Sequence, residues 1–297
     1  MRIIEPKTRH QSRKKVAIKK RSHTRPLVII SGFIIISLLF LSLANSYKKT
    51  ALNHQDVNAT LATSIEVDSS KVAGVSDTNF NYLTGDEIQK LYEDIVYPNT
   101  AELTAPPDIT GNTSADNRIR TIAESRGYQL RSVPKLPIVK TNEPGLGEDD
   151  LLQPKAFLSW KALKNKAERA GVPLKLNSGY RSIELQKSLF LSRLSSAGVD
   201  VAKISSGVVD DKIASVLLST APPGYSRHHN GYTMDFVCGN GQKSFKYTVC
   251  FDWLKKDNYK VAKSVGLLPS YPEGADTQGP EPEPWEYVWV GLQTLIN

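Results

Sequence analysis

Ser226-Arg227-His228-His229-Asn230-Gly231-Tyr232-Thr233-Met234-Asp235-Phe236-Val237 is the stretch on which the reading of this chain turns. It follows a turn signal, Pro222-Pro223-Gly224. Tyr232, Met234 and Phe236 then alternate with Thr233, Asp235 and Val237, the period of a strand with one apolar face. His228 thus falls in a turn, Asp235 on the strand's other face, and Gly231 at a permissive backbone position where the chain reverses. Such an arrangement can bring an imidazole nitrogen and a carboxylate oxygen to one metal ion. Of the five histidines, His10, His23 and His54 lie far upstream, leaving only His228 and His229 here. A site of three histidines within one domain is therefore excluded.

The flanking sequence predicts the rest of a domain. Pro154 to Ala170 places Ala156, Phe157, Trp160, Leu163 and Ala167 at three- and four-residue intervals, an amphipathic helix ended by Gly171-Val172-Pro173. Leu174 to Ser178 alternates as a short strand, Ser182 caps a helix running to Leu194, and Asp210 to Leu218 makes a third helix. Phe251 to Val265 is helical and Trp285 to Val290 strand-like. Helices first and strands later predict an α+β domain, an antiparallel sheet with flanking helices, over 131–297. Two shorter helices, Gly85 to Val96 with Thr84 or Asp86 as cap and Asp116 to Gly127, make a helical extension over 81–130. The two cysteines, Cys238 and Cys250, are twelve positions apart. Outside the cytoplasm that spacing predicts a disulfide, the alternative being two buried free thiols; without CxxC spacing they are not a metal pair.

The formal charge of +8 is a property of one end. Residues 1–25 hold ten of the 38 basic residues and one of the 30 acidic ones, so the remainder carries 28 against 29, a net of −1. No general field for polyanions is left, which argues against a nucleic-acid partner. Pro26 to Tyr47 then runs without a charge, long enough for one transmembrane helix. The positive-inside rule makes 1–25 a cytoplasmic tail and 26–47 a single-pass anchor in the cell membrane. Polar residues 48–80 read as a stalk, and the domain lies outside the cytoplasm. Ser42-Leu43-Ala44 also has the form of a signal-peptidase site; cleavage there likewise exports the domain.

Three further features bear on chemistry. Ser178-Gly179-Tyr180-Arg181-Ser182, followed by Gln186, sets an arginine at a strand-to-helix turn, where a guanidinium can hold a carbonyl oxygen or a carboxylate. Ser270-Tyr271-Pro272 forms a turn, and Glu283-Pro284-Trp285-Glu286 places two carboxylates beside an aromatic. In this order, over about 134–291, the motifs resemble those of the D-alanyl-D-alanine carboxypeptidase family of zinc peptidases. That family includes the vancomycin-resistance D,D-peptidases and has the LAS-type fold. The family's Ser-x-His-x-x-Gly-x-Ala-x-Asp is matched by Ser226, His228, Gly231 and Asp235, with Thr233 in place of Ala. Its Ser-Gly-Tyr-Arg-Ser and following Gln are matched in full, as are Trp253-Leu254 and Ser270 to Pro272.

The resemblance implies His228 and Asp235 as metal ligands, Glu283 as general base and Arg181 as the group that polarises the carbonyl. It also implies a substrate-binding wall drawn from Ser178, Tyr180, Gln186, Ser226 and Trp285. One departure stands out: the family ends in Glu-x-Trp-His, and Glu286 occupies the position of the His, the third ligand. Two readings follow. In the first, Glu286 binds the ion through oxygen in a metal-dependent carboxypeptidase that acts on peptidoglycan stem peptides near their terminal D-Ala. Zinc is the expected ion; two carboxylates would cancel its charge and let manganese or iron compete. In the alternative, the domain has lost its third ligand and only binds peptidoglycan. The predicted topology has a direct test. A reporter fused after Asn297 is expected to be active only outside the cytoplasm, with the protein in the membrane fraction; a soluble form beginning at Asn45 would overturn the anchor.

Overall fold

A computed structural model describes residues 80–296, apart from 137, 148–149, 242–243 and 275–278. The predicted tail, the membrane segment and all of the stalk except Phe80 lie outside the described residues. Among the described residues no helix is long and apolar enough to cross a membrane.

Helix α1 (Gly85–Asp94) starts where a capping box forms: Thr84 Oγ1 accepts from the Glu87 N–H, and the Glu87 carboxylate accepts from the Thr84 N–H. Helix α2 (Thr113–Ser125) begins three residues before the predicted Asp116, because Asn112 caps it by accepting from Ala115 N–H at 3.0 Å. Asp116 lies inside that helix, buried, with its carboxylate accepting from the N–H groups of Ile109 and Thr110. Two pairs of two-residue strands lie before the next long helix. β1 (Thr100–Ala101) pairs with β2 (Val133–Pro134), and β3 (Val139–Lys140) pairs with β4 (Leu151–Leu152).

Helix α3 (Pro154–Arg169) has its proline at the first turn, where no N–H is needed, and β5 (Leu174–Ser178) follows as predicted. Helix α4 (Ile183–Ser196) is capped by Ser182, whose Oγ accepts from Leu185 N–H at 3.0 Å. Short helices α5 (Val201–Ile204) and α6 (Asp210–Val216) precede a 3-10 turn (Arg227–Asn230) and strand β6 (Thr233–Cys238). Helix α7 (Val249–Lys263), β7 (Leu267–Pro269) and β8 (Glu286–Trp289) complete the described chain's regular elements, with two further 3-10 turns. The sheet runs β5-β6-β8-β7, every neighbouring pair antiparallel. The architecture is therefore mixed, helices beside antiparallel sheets.

One face of this sheet makes the main core: Met234, Phe236 and Tyr287 meet Trp160 and Leu163 of α3 and Leu254 of α7. A second core joins α2, α4 and α6 through Ile119, Phe190, Leu194 and Ile213. Among the described residues the extension and the rest of the domain form one compact unit. The predicted helix across Phe251 to Val265 is broken: Asp257, Asn258 and Tyr259 adopt left-handed backbone with φ of 52°, 55° and 62°. The cause is tertiary. Asn258 exchanges two hydrogen bonds with the backbone of Leu83, and buried Lys263 donates to Asn81 O at 2.7 Å, so the break is where the extension is clasped.

Cys238, at the end of β6, is joined to Cys250 in the first turn of α7. The bridge ties the strand carrying Asp235 to the buried Cys250 position in the first turn of α7. Substitution of both cysteines by serine is expected to cost about 2–4 kcal/mol, read as a lower denaturation midpoint; an unchanged midpoint would show that packing alone holds this corner.

Candidate metal centre

The site is built on strand register. Asp235 on β6 is paired with Glu286 on β8, and Ser178 on β5 is paired with Asp235 after a bulge between Leu176 and Ser178. Directly opposed residues of antiparallel strands point to one face. The neighbours Met234 and Tyr287 are fully buried in the core on the other face, which commits Asp235 and Glu286 to the opposite side.

His228 arrives from the 3-10 turn. Ser226 Oγ accepts from the His228 N–H at 3.4 Å, and Gly231 closes the turn with φ 76°, its N–H donating to His228 O. A Cβ at Gly231 would lie 3.2 Å from Gln153 Cγ, so this position needs glycine for both conformation and space. Nδ1 of His228 donates to Gly179 O at 2.6 Å, which directs Nε2 at the two carboxylates. It lies 3.4 Å from Asp235 Oδ2 and 3.3 Å from Glu286 Oε2. One ligand atom from each of the three residues falls within 4.8 Å of the others. Asp235 Oδ1 is buried with no hydrogen-bond partner. One nitrogen and two carboxylates so gathered, with an oxygen left unsatisfied, fit a divalent cation.

The charges are strongly coupled to burial. Burial opposes the charge on His228, but Asp235 and Glu286 prevail and push its pKa up to about 10. Burial would raise Glu286, yet His228, Arg227 and Ser270 hold it below the ordinary carboxylate range. Ser270 Oγ donates to Glu286 Oε1, and Arg227 Nη1 lies 3.9 Å from the same oxygen. Glu283 is pushed up to about 9, by burial first and then by Glu286 and Asp235. Arg227 is itself enclosed, its guanidinium 3.7 Å from the Tyr271 ring and 4.6 Å from that of Tyr92, and it donates to Ser270 O. His229 turns away from the ligands. Its Nε2 accepts from Gly224 N–H and its Nδ1 donates to Arg181 O, and burial lowers its pKa to about 4.

Arg181 donates to Ser178 Oγ at 3.1 Å and to Gln186 Oε1 at 3.2 Å, while Gln186 is fixed by donating to Ala221 O. Ser178 and Gln186 thus aim this guanidinium. Arg181, Gln186, Ser226, Glu283 and the three ligand candidates all line one cavity of about 190 Å³. Three residues expected at the substrate wall do not line it. Ser178 reaches Arg181 instead, accepting its hydrogen bond behind the wall. Tyr180 lines a separate depression with Leu151 and Ile183. Trp285 packs against the main core. Sequence reasoning missed Arg227, hidden at a variable position of the histidine motif, and Tyr128 and Arg131, which reach the cavity wall from before the matched motifs. The order of residues carries no signal for the last two.

Residues 149–292 match the family model described as VanY, D-alanyl-D-alanine carboxypeptidase. A Bacillus subtilis (strain 168) protein named "Putative carboxypeptidase YodJ" is 30% identical over 136 residues, 44% of this chain and 43% of that protein, so the match spans less than half of either. Similar solved structures include the LdcB LD-carboxypeptidase, described for its peptidoglycan recognition, 22% identical over 56% of this chain and 86% of its own, with TM-score 0.40. A mutant vancomycin resistance D,D-pentapeptidase VanY in complex with Zn(II) is 20% identical over 54% and 84%, with TM-score 0.40. DacB from Streptococcus pneumoniae D39 is 21% identical over 53% and 73%, with TM-score 0.37.

The buried titrations set a pH dependence for the metal-free protein. Between pH 6.5 and 8 the folded state keeps protons on His228 and Glu283 that the unfolded chain has released. The native state binds more protons there, so stability falls as pH rises through this window. Denaturant unfolding of chelator-treated protein at pH 6.5, 7.25 and 8 is expected to show that fall; rising stability would contradict the buried arrangement.

Proposed function

We propose that this member of the D-alanyl-D-alanine carboxypeptidase family is a metal-dependent enzyme of peptidoglycan stem peptides, held outside the cytoplasm by the segment 26–47. The observation that carries the reading is the place of Glu286. It stands opposite Asp235 with Oε2 3.3 Å from His228 Nε2, where a third ligand belongs. The external location inferred from the tail and the apolar segment suits a cell-wall substrate.

His228, Asp235 and Glu286 would hold the ion, zinc first, with manganese or iron competing for a donor set of two oxygens and one nitrogen. When bound, such an ion supplies a Lewis acid that polarises a carbonyl and acidifies water. Arg181, aimed by Ser178 and Gln186, donates to the carbonyl oxygen on which negative charge develops. Glu283 takes the proton of the attacking water and returns it to the departing amine nitrogen. Its burial, beside Glu286 and Asp235, gives the carboxyl a high proton affinity, and a cation held there would lower it. Arg227 and Ser270 keep Glu286 ionised and fixed as a ligand.

Purified protein is expected to carry one divalent ion per chain. His228→Ala, Asp235→Ala and Glu286→Ala should each lower metal content, whereas Glu283→Gln should keep the metal and lose hydrolysis by roughly 100-fold or more. Glu286→His removes one negative charge from the ligand set and should shift the acidic limb of the rate profile to lower pH. A wild type without metal or stem-peptide hydrolysis, beside a Glu286→His variant with both, would make the native domain a wall-binding module.

A further inference from the structure

Three guanidinium groups line the cavity, and one of them is differently placed. Arg181 is held by Ser178 and Gln186, and Arg227 by Ser270, Glu286 and two aromatic rings. Arg131 is paired with no carboxylate among the described residues, and its Nε is buried without a hydrogen-bond partner. Its guanidinium lies 5.2 Å from the centroid of Tyr92, the ring that Arg227 also faces. Contact with a ring face leaves the edge donors of a guanidinium free to point elsewhere.

The main chain that carries Arg131 is pinned. Its N–H donates to Gly224 O at 2.9 Å, and two residues later Val133 pairs with Ala101. Gly224 is in turn tied to His229, next to the ligand candidate His228. A cation is thus presented to the cavity from a pinned main chain, with no carboxylate among the described residues to neutralise it. Asp235, Glu283 and Glu286 repel an anion from the part of the cavity they line. The wall at Arg131 attracts one.

Resting on the reading of this cavity as a peptidase site, we propose that Arg131 is a substrate-binding residue that takes the free C-terminal carboxylate of the peptide. The planar fork of a guanidinium matches the two oxygens of a carboxylate. Anchoring that group sets which bond lies at His228, Asp235 and Glu283, and confines the enzyme to trimming chain ends. Arg131 lies just after the helical extension and before the family match at 149–292, so residues outside that match supply part of the specificity.

The test is made with metal-loaded Glu283→Gln protein, titrated calorimetrically with a stem peptide ending in a free carboxylate and with the same peptide as its C-terminal amide. The acid is expected to bind about 10- to 100-fold more tightly, the range for a hydrogen-bonded charge pair. Arg131→Ala in this background should abolish that preference while leaving affinity for the amide unchanged, and Arg131→Lys should recover part of it. Equal losses for acid and amide, no preference before substitution, or no binding of either peptide would each overturn the inference. Hydrolysis by otherwise wild-type protein separates the two readings. Arg131-dependent binding of the acid without hydrolysis would refute the proposed function and leave this site standing. Equal cleavage of acid and amide would refute the anchor alone.

Discussion

Asp235 and Glu286 face each other across neighbouring antiparallel strands, both largely sealed from water, and like charges in that relation repel. The surroundings of the pair are arranged against this repulsion. His228 approaches both carboxylates with one ring nitrogen while Gly179 O holds the other. Arg227 stands near Glu286, and Ser270 donates to it. A bound divalent cation would neutralise the same pair directly. A slip of one residue between β6 and β8 would send the carboxylates into the core, so the packing of Met234, Phe236 and Tyr287 maintains the chemistry as well as the fold.

Arg227 links this centre to the extension. Its guanidinium is enclosed between Tyr271, from the turn after β7, and Tyr92, from α1. Burying a guanidinium is costly unless its charge and donors are met, and here a carbonyl, a carboxylate and two rings meet them. Loss of Tyr92 would therefore act on Glu286 through Arg227. The extension is held in place by contacts along its length: the clasp of Leu83 by Asn258, Tyr232 donating to Pro98 O, Tyr128 donating to Leu217 O, and the Arg118–Asp210 and Lys187–Asp108 pairs. It forms part of the cavity wall rather than a separate module.

Much of the local structure was legible in the residues. The caps at Thr84 and Ser182, the strand Leu174 to Ser178, the alternation around Asp235, the reversal at Gly231 and the pairing of Cys238 with Cys250 all match. Each depends on neighbours close in the chain or on a side-chain period, so the order of residues carries the information. The resemblance to the family whose model matches 149–292 was legible too, because its motifs are short and keep their order. Asn112 as a cap was missed because Asp116 offers the same chemistry four positions later.

The sequence by itself determined which groups are available: one usable histidine, the acids Asp235, Glu283 and Glu286, an arginine at a strand-to-helix turn, and apolar faces that build an antiparallel sheet. Only the tertiary structure decided that Glu286 faces Asp235 and His228, because pairing between strands about fifty residues apart is set by register and packing across the sheet. It likewise decided that the helix after Cys250 breaks at Asp257 to Tyr259, since the contacts responsible come from Leu83, some 175 positions away in the chain. Ser178, Tyr180 and Trp285 lie off the cavity wall and Arg131 lies on it for the same reason: where a side chain ends depends on neighbours brought together by folding.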